Sequence, residues 1–279
     1  MLKQRVITGL ILALSFLTAL FALPTLAFIA LISLVLAYAA WEWSHLAGLT
    51  GVAGRGFYVL LVVAVAGALA AYLGFESNIL LSEKPRFVLL LACTWWAIAV
   101  LWVQSYPSSA ILWGRPWLCL LMGLCVLLPM WLAFAGLLSL AEGPKLVLGV
   151  VLLVALADIG GYFVGRAIGR TKLAPKVSPG KTWEGLLGGQ LAIVLVVATT
   201  GWFLDFEIAR IGLWLGLAMA TGLASVLGDL LESMVKRHRG VKDSGTILPG
   251  HGGVLDRIDG LTAALPVFSL VLSLLYSRL

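Results

Sequence analysis

Long apolar stretches alternate with short polar breaks along this chain, and each stretch is about as long as a bilayer is thick. A membrane-crossing helix needs about 20 mainly apolar residues. On that measure the pattern predicts nine spans, at roughly 6–22, 24–43, 57–75, 87–105, 116–140, 145–165, 185–204, 210–236 and 259–277. The first two are the hardest to separate, because only Pro24 and its neighbours lie between them. A single merged span would leave eight crossings and reverse the N-terminus. Lys3 and Arg5 ahead of an apolar run resemble a signal peptide. Hydrophobicity continues almost unbroken to Tyr38 with no convincing cleavage site, so a retained first span is expected.

Composition removes the alternatives to a membrane protein. Of the 279 residues, 61% are hydrophobic and 11% charged, with a mean hydropathy of +1.06. A soluble domain carries about 25% charged residues, and a folded surface in water must be clothed in polar groups. Disordered chains are poor in hydrophobics, so disorder is excluded as well. The expected fold is all-α, a polytopic integral membrane bundle. Cys93, Cys119 and Cys125 lie inside apolar runs and read as small hydrophobes rather than disulfides or metal ligands.

The net charge of +6 has a topological reading. With nine spans and a cytoplasmic N-terminus, 14 of the 19 basic residues fall on the cytoplasmic side, leaving Lys84, Arg86, Lys145, Arg210 and Arg278 outside. That bias follows the positive-inside rule. No basic amphipathic stretch is interleaved with exposed aromatics, so no nucleic-acid partner is expected. The absence of an organellar presequence points to a bacterial plasma membrane.

The two halves differ in chemistry. Residues 1–145 read as hydrophobic helices with short connections, a scaffold with candidate dimer contacts. Residues 146–279 read as the catalytic region, with basic cytoplasmic loops at 166–184 and 237–258. No repeat suggests an inverted-repeat transporter. Small-residue spacings (Gly161, Gly165 and Gly169; Gly212 and Gly216) predict close helix approach. Such faces suit a homodimer or packing within one chain equally.

Polar groups gather in three places. Asp158, Tyr162 and Arg166 are four residues apart and share one helix face near the inner end of a span. Ser225, Asp229, Glu232, Ser233 and Lys236 form a polar stripe on an otherwise apolar helix, which suits either a packing network or a hydrated site for a charged ligand or metal. After it come Lys236-Arg237-His238-Arg239-Gly240-Val241-Lys242-Asp243, Pro249-Gly250-His251-Gly252-Gly253 and Asp256-Arg257-Ile258-Asp259. Glycine backbone can approach a ligand closely, and its exposed amides suit phosphate oxygens alongside Lys and Arg. Asp256 and Asp259, three apart at a helix start, can point to one side and hold a hard cation. The third place is Ser178-Pro179-Gly180-Lys181-Thr182-Trp183-Glu184-Gly185. It imitates the end of a P-loop, but the first required glycine falls on Pro175 and no strand is expected before it, so a Walker A site is rejected. What remains is a basic segment leading into a helix N-terminus, which suits an anion. Carboxylates among cations at a membrane surface imply Mg²⁺ bridging to phosphates, and phosphoryl or nucleotidyl transfer.

At these residues the chain resembles the phosphatidate cytidylyltransferase (CDP-diacylglycerol synthase) family. Ser233-x-x-Lys236-Arg237-x₄-Lys242-Asp243-x-Gly245-x₂-Leu248-Pro249-x-His251-Gly252-Gly253-x₂-Asp256-Arg257-x-Asp259 fits the family signature without a gap. Ser178-Pro179-x-Lys181-Thr182-x-Glu184-Gly185 and Gly228-Asp229-x-x-Glu232-Ser233 resemble further family elements. The resemblance implies conversion of CTP and phosphatidate to CDP-diacylglycerol and pyrophosphate in a divalent-metal-dependent step. On that reading Asp229 and Asp256 hold Mg²⁺, with Asp259 and Glu232 as alternate ligands or supporting groups. A second, monovalent cation beside Mg²⁺ is left open. Lys236, Arg237, Lys242 and Arg257 hold the phosphates, with Asp243 beside them. Gly252 and Gly253 supply backbone donors, Lys181 and Ser178 close the site, and His251 is left open between a neutral phosphate hydrogen-bonder, the favoured role, and a general acid.

Rival classes fit less well. A transporter explains the intramembrane acids but not the glycine-rich turn. The spaced-aspartate pattern of a CDP-alcohol phosphotransferase is absent. A purely structural membrane protein leaves the polar clustering without a reason.

Overall fold

A computed structural model describes residues 2–74 and 78–276, with side chains from Val6 onward. The side chains of Lys3 and Arg5, the position of Arg278 and the last residue of the spans expected at 57–75 and 259–277 lie outside the described residues. Among the described residues ten α-helices follow in order: α1 (Leu2–Ala22), α2 (Thr25–Leu46), α3 (Val52–Leu73), α4 (Glu83–Gln104), the short α5 (Ala110–Trp113), α6 (Pro116–Leu138), α7 (Gly143–Ile168), α8 (Trp183–Phe203), α9 (Ile208–Arg239) and α10 (Leu255–Leu275). Between α7 and α8 lies a two-stranded antiparallel hairpin, β1 (Lys172–Ala174) and β2 (Ser178–Thr182).

Eight of these helices are long and apolar enough to cross a membrane, and α1 adds the apolar stretch Val6–Ala22. Pro24 does separate α1 from α2. It stands at the N-cap of α2 with φ −56° and ψ 146°, an extended conformation that ends helical continuity. The bundle is therefore an all-α polytopic membrane protein.

Helices α6 and α10 form its centre, buried along about two thirds of their apolar lengths, whereas α3 and α7 are buried along only 17% of theirs. Exposed side chains such as Leu60, Leu90, Leu101, Phe163, Leu187 and Leu195 form the apolar perimeter. That distribution is the one lipid permits, since only the protein interior excludes it.

Interhelical contacts sort the connections between two ends. At one end, Trp113 beside α5 packs on His238 of α9 with ring centroids 4.9 Å apart. Arg237 donates to the Val177 carbonyl of the hairpin at 3.3 Å, and Thr8 of α1 to the Pro249 carbonyl at 3.3 Å. At the other end, the Asn78 amide donates to the Ser139 carbonyl at 2.9 Å and Arg86 to the Ser273 carbonyl at 3.1 Å. The loops expected to group, 166–184 and 237–258, thus lie on one side, with segment 106–115 beside them. The start of α1 and the end of α10 stand at opposite ends, as an odd number of crossings requires.

The glycine faces divide unequally. Gly161 and Gly165 of α7 lie against Gly185 of α8, and an added Cβ at Gly189 would fall 2.5 Å from the Ala157 carbonyl oxygen. These small residues are used inside one chain. Gly212 and Gly216 do not follow the expectation, since nothing lies within 4 Å of a Cβ added there. Gly189→Val should therefore destabilise the protein by roughly 1–3 kcal/mol through overpacking against backbone that cannot yield. Gly212→Ala should stay within about 0.5 kcal/mol of the parent. Thermal melting of the purified protein in detergent distinguishes the two.

Candidate active site

Helix α9 is 32 residues long, so at 1.5 Å per residue it extends about 48 Å, well beyond an apolar core of about 30 Å. Its polar stripe occupies the last turns. Gly240 ends the helix at φ +76°, and the Val241 amide returns to the Lys236 carbonyl at 3.0 Å. This left-handed closure turns the chain back towards α10. Lys236, Arg237, His238 and Arg239 in the final turn meet the negative end of the helix dipole.

Lys236 is the hub. Only 8% exposed, it donates to Glu232 Oε1 at 3.0 Å and to Asp256 Oδ1 at 2.7 Å. The Asp256 Oδ2 accepts from the Ser244 amide at 2.9 Å and the Gly253 amide at 2.8 Å. One carboxylate therefore joins α9, α10 and the loop between them. The other Glu232 oxygen is buried with no partner among the described residues. Asp229 pairs with Lys181 of β2 at 2.5 Å and accepts from Ser233 Oγ at 3.1 Å. Asp259 accepts from the Gly260 amide at 2.8 Å. Helix α10 starts at Leu255, earlier than the expected 259, so Asp256 and Asp259 share its first turns and face one cavity.

That cavity holds about 340 Å³ and is walled by Asp158, Asp229, Asp256, Asp259, Lys236, Asp243 and Arg257. Two others share its walls. Through Asp158 it adjoins a largely apolar cavity of about 360 Å³ with Ala157, Tyr162, Arg166, Leu173, Ser178, Lys181, Leu186 and Val226. Through Asp243 and Arg257 it adjoins a polar one of about 540 Å³ with Lys242, Thr246, Leu248, Pro249, His251 and Gly252. Arg166 donates to the Tyr162 hydroxyl at 2.8 Å, so the expected face of α7 exists and lines a cavity.

Most expected site residues thus converge; Ser233, expected to bind substrate, lines none of these cavities and donates to Asp229 instead, and four others do otherwise than anticipated. Arg237 lines none of these cavities. Its guanidinium holds the carbonyls of Val177 and Val241 and ties the hairpin to the end of α9. The Gly253 amide is taken by Asp256 Oδ2 at 2.8 Å and is not an open donor. Glu232 lies behind Lys236, outside the cavity wall. Gly252, at φ +81°, contributes by conformation, because a Cβ there would lie 2.5 Å from Asp256 Oδ2. His251 Nδ1 is buried without a partner among the described residues, and its carbonyl accepts from Arg257 Nε at 3.1 Å.

The segment 171–185 is structured rather than a plain loop. Thr182 caps α8 by accepting from the Gly185 amide at 3.1 Å, and Glu184 accepts from the Thr171 amide at 3.1 Å. Its first turn is capped from within, so the segment contributes Lys181 and Ser178 to the site more than an open helix end.

Sequence reasoning missed Glu42 on α2. It is 2% exposed and accepts from Ser244 Oγ and from the Val254 and Leu255 amides at 2.7–3.1 Å. The available signal was an acid at the end of an apolar run, in Trp41-Glu42-Trp43.

Among the described residues no three His, Cys, Asp or Glu side chains stand in joint ligating geometry. The aspartates face one cavity but are held apart, Asp229 by Lys181 and Asp256 by Lys236. This donor set does not form a closed cage. It fits a cation that takes one or two carboxylates and completes its shell with water and substrate oxygens.

The sequence profile of the cytidylyltransferase family matches residues 3–275. The chain belongs to this family. It is 44% identical to the phosphatidate cytidylyltransferase of Pseudomonas aeruginosa over 275 residues, covering 98% of this chain and 97% of that protein. It is 42% identical to the phosphatidate cytidylyltransferase of Haemophilus influenzae over 287 residues, covering 96% and 98%. A shorter match to the enzyme of that name from Staphylococcus aureus has 44% identity over 132 residues, 47% of this chain and 50% of the relative. The chain is therefore an enzyme, a membrane nucleotidyltransferase of phospholipid synthesis.

Removing Lys236 should leave two buried carboxylates without their shared cation. Lys236→Met is expected to destabilise the protein by about 3–5 kcal/mol, the cost of breaking a buried ion pair from one side. A large fall in melting temperature in detergent checks this.

Proposed function

We propose that the enzyme transfers the cytidylyl group of CTP to phosphatidate, giving CDP-diacylglycerol and pyrophosphate, with Mg²⁺ as cofactor and at the cytoplasmic face of a bacterial inner membrane. The observation that carries this reading is the run of three adjoining cavities, apolar at one end and lined by cations and aspartates at the other. The names of the full-length relatives support both substrates.

A phosphatidate oxygen forms a bond to the α-phosphorus of CTP while the bond to pyrophosphate breaks. By analogy with other phosphomonoesters, the nucleophile carries about −1.5 to −2 charges near neutral pH, so no strong base is needed. The obstacle is repulsion between two polyanions, which preorganised cations relieve. Arg257 spans the central and polar cavities, and Lys242 lines the latter, so both suit the triphosphate. Lys181, Arg166 and Ser178 line the apolar cavity and suit the lipid phosphate. Its α7 wall continues into Ile159 and Phe163 on the apolar perimeter, a route along which acyl chains remain in lipid. Lys236 orients Asp256 and keeps a positive charge beside the reacting phosphates. Asp229 and Asp256, with Asp259 beside them, would hold Mg²⁺, and Glu232 supports them through Lys236. When bound there, Mg²⁺ would neutralise charge developing on the phosphate oxygens.

The reading predicts that Asp229→Asn and Asp256→Asn each abolish Mg²⁺-dependent conversion of labelled CTP and phosphatidate into lipid-linked CMP. Both variants should remain folded in detergent. Substantial turnover in both would overturn the metal assignment, and no nucleotide-lipid product from the parent enzyme would overturn the reaction. For sidedness, a cysteine introduced at Thr246 should react with an impermeant thiol reagent in inside-out vesicles and resist it in right-side-out cells. One at Glu142 should do the reverse.

A further inference from the structure

Glu42 lies 202 to 213 residues before the groups it binds, on a helix that the chemistry above does not use. Its Oε1 accepts from the Val254 amide at 3.1 Å, and its Oε2 from the Leu255 amide at 2.7 Å and Ser244 Oγ at 3.1 Å. The first amides of a helix have no acceptor within it, and a carboxylate there also meets the positive end of the dipole. Glu42 thus caps α10 from outside, immediately before Asp256.

Ser244 makes the arrangement reciprocal. Its hydroxyl binds Glu42 while its amide binds Asp256 Oδ2. Gly253 lies between the two acids, its amide on Asp256 and its Cα so close to Glu42 that a Cβ would collide with both carboxylate oxygens. A Cβ at Gly245 would meet Glu42 as well. Two glycines of the 240–254 loop therefore accommodate this one acid from α2.

We propose that Glu42 is a positioning residue for catalysis: acting through the Ser244 and α10 amides, it sets the first turn of α10 and with it Asp256 and Arg257 relative to Lys236. The inference rests on the nucleotidyl-transfer reading of that cavity. Glu42 touches no substrate, and its effect passes through the loop.

The test uses the full-length enzyme in detergent with Glu42→Gln, which keeps size but offers one acceptor oxygen and turns an NH₂ towards a backbone donor. Ser244→Ala is the second variant. In folded Glu42→Gln, kcat should fall roughly 10-fold to 100-fold, as for other residues that orient a reactive group at one remove, with KM for CTP little changed. Deuterium exchange should rise in residues 244–256 and not in α6. With Ser244→Ala added, the loss should be less than the product of the single losses, because the two share one contact. A kcat at the parent level overturns the proposal, as does lowered kcat with unchanged exchange in 244–256. Fully independent losses in the double variant overturn it too. If the parent itself makes no nucleotide-lipid, the reaction reading fails alone. Exchange in 244–256 then decides the positioning role, and an unchanged pattern ends it.

Discussion

A buried ammonium between two carboxylates organises the candidate catalytic end of this protein. Lys236 is held by Glu232 four residues earlier on its own helix and by Asp256 at the start of the next. Charges removed from water must be paired and hydrogen-bonded, and among the described residues Glu232 is held by Lys236 alone. Asp256 takes two loop amides as well, so the ion pair, the loop conformation and the first turn of α10 form together. The close contact of α9 and α10 follows the same requirement. At Gly228 the backbone of α10 lies so near that no side chain fits.

Around this pair the polarity changes along a line. Towards α7 and α8 the cavity wall is Ala157, Leu173, Leu186 and Val226, with cations at its rim. Towards the α9–α10 loop it is Lys242, Thr246, His251 and Arg257. Such a gradient suits two substrates of unlike solubility, one held by lipid and one arriving from water, whose phosphates meet between. Arg166, Lys181, Lys236, Lys242 and Arg257 are spread along this line.

The N-terminal helices are tied into this end rather than standing beside it. Glu42 of α2 caps α10, Thr8 of α1 reaches the Pro249 carbonyl, and Trp113 of α5 packs on His238. An early helix contributes an acid to the loop of a late one, so the two halves are joined at the site by hydrogen bonds as well as by apolar contact.

Span number, span order and the grouping of basic loops were legible in the chain itself, because lipid demands about 20 apolar residues per crossing and tolerates few exceptions. The acids and bases of the site were legible for a related reason: a charge inside a span, as at Asp158, Asp229 or Lys236, stands out against apolar neighbours. Pro24 was enough to divide the first two helices. What periodicity could not specify is which partner each polar group takes. Arg237 and Lys236 are adjacent in the same basic run, yet one is exposed and staples the hairpin while the other is buried in an ion pair. Gly253 belongs to a phosphate-suited turn by sequence, but its amide is taken by Asp256. Glu42 could not be picked out by local spacing, because its partners lie more than 200 residues away. Local spacing determined which residues can share a face. Only the packing of α2, α9 and α10 decided which of them meet, because a hydrogen bond depends on positions in space that distant segments of the chain set jointly.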